Sequence, residues 1–157
     1  LNNLSKFLDL NEEIQLFEEN NEIILDLIAD LNKAKKRNEV PVAALVVFNN
    51  KIIAHSHNAR ISKNDVTAHA EVLAIKKAAK KLGDWRLNEC DLYVTLEPCQ
   101  MCCEIIKESR IKNVYYYVAK SEFKKGYNKT NFELLTNDSC DSFQQLLSSF
   151  FKDNGNR

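Results

Sequence analysis

The sequence is short of the residues that break or decorate regular structure. Its 157 residues include three glycines, two prolines, one tryptophan and one methionine. No internal repeat and no low-complexity segment stands out, which excludes repeat arrays and linker-like chains. No apolar run approaches the roughly 18 residues of a membrane-spanning helix. The start is acidic rather than basic and then apolar, so nothing there reads as a secretion signal. Residue 1 is Leu, so a start Met or an upstream segment is expected before it. Net charge is lacking too, with 22 basic and 22 acidic residues. These absences point to one domain with one core, in the cytoplasm.

The zero balance hides an uneven distribution. Residues 1–39 carry five basic and nine acidic residues; residues 60–129 carry fourteen and nine. The middle is basic, which allows one basic face and equally allows ordinary solvated helix surfaces. Cysteine is the other uneven residue. There are five, an odd number, and three crowd together as Cys99, Cys102 and Cys103. Without a secretion signal, that crowding reads as metal ligation ahead of disulfides.

The pattern predicts alternating helices and strands. Residues 1–20 are rich in Asn and Glu and are expected to form a poorly ordered extension before a domain over 21–152, with a flexible tail at 153–157. Ile24, Leu27, Ile28, Leu31 and Ala34 follow the spacing of a one-sided helix. Residues 42–48 read as a strand, and Asn49-Asn50 as a hairpin turn into 51–55. Residues 58–67 read as a loop ending in Thr67, a candidate cap for a helix that Gly83 stops. A strand over 91–96, a helix opened by Pro98, a strand over 113–119, a basic loop over 120–131, a weak strand over 132–136 and a helix over 142–152 complete the chain. This order predicts an α/β fold of three layers, α/β/α, around a mixed sheet of about five strands.

Two short motifs carry the chemistry. They are His69-Ala70-Glu71 and Pro98-Cys99-Gln100-Met101-Cys102. A catalytic zinc keeps three protein ligands of the imidazole or thiolate type and leaves one position open. Cys99 and Cys102, three apart at a helix start, aim at one point, and His69 begins another helix. Two converging helix N-termini favour thiolates. Glu71 is too near His69 to share the metal but near enough to handle its water, which suits a proton shuttle. Either motif alone is weak; a lone Cys-x-x-Cys is often structural or redox. Together they form the signature of zinc nucleobase deaminases. Cys103 is expected to point away as a small buried residue, and Cys90 and Cys140 to be structural thiols. His55 and His57 are expected at the surface or against a neighbour, and Trp85 packed near the end of the helix that follows His69.

From Glu39 to about Arg110 the chain resembles the bacterial tRNA-specific adenosine deaminases, within the cytidine deaminase-like superfamily. The matching residues are Glu39-Val40-Pro41-Val42, Asn58, 67–71, 92–102 and Ser109-Arg110-Ile111, with Cys140, Leu146-Leu147 and Phe150-Phe151-Lys152 near the end. The resemblance implies hydrolysis of adenosine to inosine at the wobble position of tRNA, with arginine tRNA as substrate. It implies one Zn2+ per subunit on His69, Cys99 and Cys102, with Glu71 as the catalytic acid–base. It implies a homodimer that receives the tRNA anticodon stem–loop. Asn58, Glu39, Val42, Ala70, Glu97 and Pro98 would bind substrate. Arg110, Lys120, Phe150, Phe151 and Lys152 would touch RNA, the phenylalanines by stacking or else by packing in the core.

The chain departs from that family in several places. Ala43 stands where the family has Gly, and Val66 where it usually has Pro. Lys120 stands where it usually has Asp, followed by a shorter, Lys-rich stretch. Lys120, Lys124, Lys125 and Lys129 are candidates for phosphate contacts there. Two other readings share the scaffold: a deaminase of free guanine or cytosine, and a zinc-stabilised RNA-binding subunit without activity. Glu71 counts against the second, because a binding module has no use for a carboxylate at the open metal position.

Overall fold

The computed structural model describes residues 10–120, 130–137 and 139–155. Lys124, Lys125 and Lys129 lie outside the described residues. Five strands form one mixed sheet in the order β2-β1-β3-β4-β5. They are β1 (Ala43–Phe48), β2 (Lys51–His57), β3 (Cys90–Leu96), β4 (Asn113–Val118) and β5 (Asn131–Leu134). β1 runs antiparallel to both β2 and β3, and β3, β4 and β5 run parallel. The helices are α1 (Leu10–Lys36), α2 (Arg60–Lys63), α3 (Ala70–Leu82), α4 (Gln100–Glu108) and α5 (Ser139–Asn154).

Strand β1 shows why the sheet needs cover on both faces. Its side chains alternate between two buried clusters. Ala44 and Val46 join Ala74, Ala78, Leu92, Val94 and Ile106, under α3 and α4. Ala43 and Leu45 join Ile23, Leu27, Leu31, Tyr117 and Phe143, under α1 and α5. Helix α4 supplies the crossover that the parallel pair β3–β4 requires. The turn from β1 to β2 is the expected Asn49-Asn50, and both residues have positive φ (50° and 59°). Asparagine tolerates that region, and such a pair matches the twist of a hairpin.

The structure moves several expected features. Helix α1 begins at Leu10, inside the stretch expected to be a poorly ordered extension. Its buried stripe is Ile23, Leu27, Leu31 and Ala34, while Ile28 is exposed. Thr67 does not cap α3. Its hydroxyl donates to the Asp65 carboxylate at 2.8 Å, and His69 takes the cap position. The loop over 58–67 contains the single-turn helix α2, too short to show a periodicity. Trp85 is exposed rather than packed, with the guanidinium groups of Arg86 and Arg110 5.3 and 5.6 Å from its ring centre.

Candidate active site

The site is built on the starts of two helices. His69 is the N-cap residue of α3 and Cys99 that of α4, and neither makes a side-chain capping hydrogen bond. Both backbones are extended at that point (ψ of 152° and 173°), so the side chains leave the helix ends sideways. Cys102 lies one turn into α4, on the same face as Cys99. Loop bonds fix the approach to His69: Ala59 N–H donates to Ala68 O at 2.9 Å, and His69 N–H to Thr67 O at 2.7 Å. Cys103 turns away as expected, with its thiol donating to Pro98 O at 3.5 Å.

His69, Cys99 and Cys102 hold their ligand atoms within 4.8 Å of one another. His69 Nδ1 is 3.8 Å from Cys99 Sγ and 3.5 Å from Cys102 Sγ. A tetrahedral zinc with usual bond lengths separates a sulfur and a nitrogen ligand by about 3.6 Å. The spacing therefore fits a zinc-sized ion with one position left over. The donor chemistry fits as well. Hydrogen bonds from Cys102 and His69 hold the Cys99 thiol down to about 3. The same sulfur pairing, with burial, pushes Cys102 up. The pairing favours the thiolate form at Cys99, as do the dipoles of the two helix N-termini.

Glu71 sits in the first turn of α3 and is buried, 4% exposed. Burial pushes its carboxyl up from the ordinary range, against the pull of its own backbone N–H and of Cys102. A carboxyl so balanced can take and return a proton.

His69, Cys99 and Glu71 line a cavity of about 500 Å³, with Cys102 buried behind them. That volume is in the range of small-molecule sites. Of the other residues expected at substrate, Val42, Asn58, Ala70 and Glu97 line it, as does Lys120, expected to touch RNA. Glu39 and Pro98 do not. The Glu39 carboxylate is fully buried and accepts the N–H groups of Ile61 (3.2 Å) and Ser62 (2.7 Å), at α2. Phe151 lines the cavity, whereas Phe150 is buried in the core and meets it edge to face at 5.6 Å. Lys152 is exposed, and Arg110 stands over Trp85, away from the cavity lining.

Sequence reading missed the wall given by α5. Gln144, Leu147, Ser148 and Phe151 line the cavity, and their spacing of three, four and seven places them on one helix face. The signal was present but is identical to that of an ordinary amphipathic helix. Arg60, on α2, was also missed.

The chain matches the family model of the MafB19-like deaminases over residues 18–154. It is 37% identical over 128 residues to the tRNA-specific adenosine deaminase of Buchnera aphidicola subsp. Schizaphis graminum (strain Sg), spanning 76% of this chain and 85% of that protein. Its fold superposes on a tRNA:A34 deaminase solved in a study of A-to-I editing at the wobble position. The TM-score is 0.69 at 32% identity, covering 74% of this chain and 99% of the other. A guanine deaminase from Bacillus subtilis matches less well, with a TM-score of 0.55 at 28% identity over 82% of this chain and 90% of the other. This chain therefore belongs to the MafB19-like deaminases and to the family of the tRNA-specific adenosine deaminases.

Proposed function

We propose that this protein hydrolyses adenosine to inosine at the wobble position of tRNA, releasing ammonia. The observation that carries the reading is the cluster of His69, Cys99 and Cys102 at a cavity that His69, Cys99 and buried Glu71 line, in a chain of this family. One Zn2+ held by His69, Cys99 and Cys102 supplies a Lewis acid that makes water nucleophilic near neutral pH.

The remaining steps belong to the chain. Glu71 takes a proton from the attacking water and delivers it to the ring nitrogen beside C6. It then takes the remaining proton from the hydroxyl added at C6 and passes it to the amine, as the C6–N bond breaks and the C6 carbonyl forms, so that one water is consumed and one ammonia leaves. Asn58, buried at the cavity wall, offers its side chain to the purine ring. Val42, Ala70 and Phe151 provide the apolar walls that receive an unstacked base. Glu97 acts through Lys120 rather than on the base, because its carboxylate accepts the Lys120 N–H.

No helix among the described residues is long and apolar enough to cross a membrane. A cytoplasmic homodimer is part of the same reading, and sedimentation of the purified protein tests the dimer. The activity is tested by incubation with an unmodified arginine tRNA anticodon stem–loop and detection of inosine by mass spectrometry. Inosine is the expected product. Its absence, with ammonia released from free guanine or cytosine, would overturn the tRNA reading in favour of a free-base deaminase.

A further inference from the structure

A second cavity of about 450 Å³ is lined from the end of α1, from β2, from α2 and from α3. Its lining includes four cationic side chains, Lys33, Arg37, Lys63 and Lys77, and one acid, Asp30. The acid is already engaged. Its buried carboxylate is 2.7 Å from His55 Nδ1 and 4.0 Å from Lys33 Nζ. The cations come from the end of α1, from α2 and from α3, and all four are exposed. This edge therefore concentrates positive charge that the zero overall balance conceals.

One short helix contributes to both cavities. Arg60 opens α2 and lines the first cavity; Lys63 closes the same helix and lines the second. The floors are joined as well. Arg37 Nη1 donates to His57 Nε2 at 3.2 Å, and His57 Nδ1 donates to the backbone carbonyl of Asn58 at 2.8 Å. An RNA strand crossing α2 would meet Arg60 at the start of the helix and Lys63 at its end. Four cations spread over three elements suit a series of phosphates rather than one anion. Flexible lysine ends suit contacts that hold a backbone without reading bases.

We propose that this groove binds the phosphodiester backbone of the RNA whose adenosine enters the first cavity. The proposal rests on the tRNA deaminase reading given above. It assigns Lys63, Lys77, Lys33 and Arg37 to grip, with no part in the chemistry.

The test is the dissociation constant of an anticodon stem–loop hairpin, measured across a salt series. The proteins compared are the wild type, Lys63→Ala/Lys77→Ala, Lys63→Arg/Lys77→Arg and Lys80→Ala/Lys81→Ala. The last pair sits in the final turn of α3, outside the groove lining. Thermal melts check that each variant is folded. The alanine pair in the groove is expected to weaken binding about tenfold at moderate salt and to lower the salt slope by about two. The arginine pair should bind like the wild type, and the Lys80/Lys81 pair should lose little. Unchanged affinity and slope in the groove variant overturns the proposal, as does an equal loss in the Lys80/Lys81 variant. A change in oligomeric mass without a change in RNA affinity also overturns it, since the groove would then be a protein contact. A wild type that binds the hairpin through the groove but forms no inosine upholds the groove and removes the adenosine reading instead.

Discussion

The carboxylate of Glu97 accepts the backbone N–H of Lys120 at 3.1 Å, while the Glu97 N–H donates to Val118 O at 2.8 Å. The residue just before Pro98-Cys99 is thereby tied twice to the end of β4, and both Glu97 and Lys120 line the cavity. The bonds couple the turn that carries Cys99 to the segment where RNA is expected. A hydrogen bond to a charged group is worth about 1.5–3 kcal/mol. Glu97→Ala should therefore raise KM for the hairpin by about tenfold or more, with a smaller loss in kcat. Glu97→Gln keeps an acceptor oxygen and should recover most of the affinity. Steady-state kinetics of the two variants check this, and a Gln variant as poor as Ala would assign the effect to charge instead.

Glu71 is the buried carboxyl beside the trio, and its proposed work is proton transfer alone. Glu71→Ala should keep bound zinc and the fold, while inosine formation falls by about 10²–10⁴. Elemental analysis and circular dichroism measured beside the activity separate this from unfolding. Retained activity in a folded, zinc-loaded variant removes the role.

Cys102 and Cys99 should behave differently from Glu71, because ligand loss is also loss of folding energy. Cys99→Ser or Cys102→Ser should purify with little zinc and melt earlier than the wild type. Chelator treatment of the wild type should lower its melting temperature toward theirs, and added zinc should restore only the wild type. A chelator-insensitive melting curve together with full activity would falsify the metal assignment.

The clustering of His69, Cys99 and Cys102 and the placing of Glu71 beside them were legible because short motifs fix them: each of the four sits at or within one turn of a helix start that the flanking residues announce. The sheet was legible from runs such as Ala43–Phe48, whose apolar residues serve both faces at once. Less was readable where long-range contacts decide. Helix α2 has four residues and depends on Glu39, which precedes it by a hairpin, so no local pattern marks it. His69 displaced Thr67 as the cap because Asp65 engages the Thr67 hydroxyl, a loop-internal choice invisible in spacing. Ile28 and Trp85 fit an apolar stripe or a helix end on paper, but neither meets a covering element among the described residues.

Cys90, at the start of β3 and 1% exposed, gives the fold an alkaline limit. Burial first, then the Asp91 and Glu89 charges, push its thiol up to about 11 from 9.0. Below about pH 9 the thiol is protonated in both folded and unfolded chains and contributes no pH dependence. Between 9 and 11 the unfolded chain releases a proton that the folded chain keeps, so stability falls as pH rises. The cost is about 1.4 kcal/mol per unit between the two values. Tyr117, pushed up mainly by burial, adds to the same trend. Denaturant titrations from pH 8 to 11 should show declining stability, with a shallower decline in Cys90→Ala. An equal slope in that variant would assign the limit to Tyr117 and other groups.

Glu39 separates a fold role from a substrate role. The family resemblance assigns it to substrate, whereas its two carboxylate oxygens are occupied by the N–H groups of Ser62 and Ile61 and the side chain is fully buried. Those bonds hold α2, which carries Arg60 at the rim of one cavity and Lys63 in the other. Removing the carboxylate leaves two donors without their acceptor, at a cost of about 1–3 kcal/mol. Glu39→Ala should therefore melt several degrees below the wild type, at about 2–4 °C per kcal/mol for a chain of this size. Its KM should rise in step, because Asn58 and Arg60 move with α2. Glu39→Gln, which keeps one acceptor oxygen, should fall between the two in both measurements. A substrate contact would give the opposite pattern: an altered KM at an unchanged melting temperature. Joint measurement of the two quantities decides between direct contact with substrate and support of the helix that borders it.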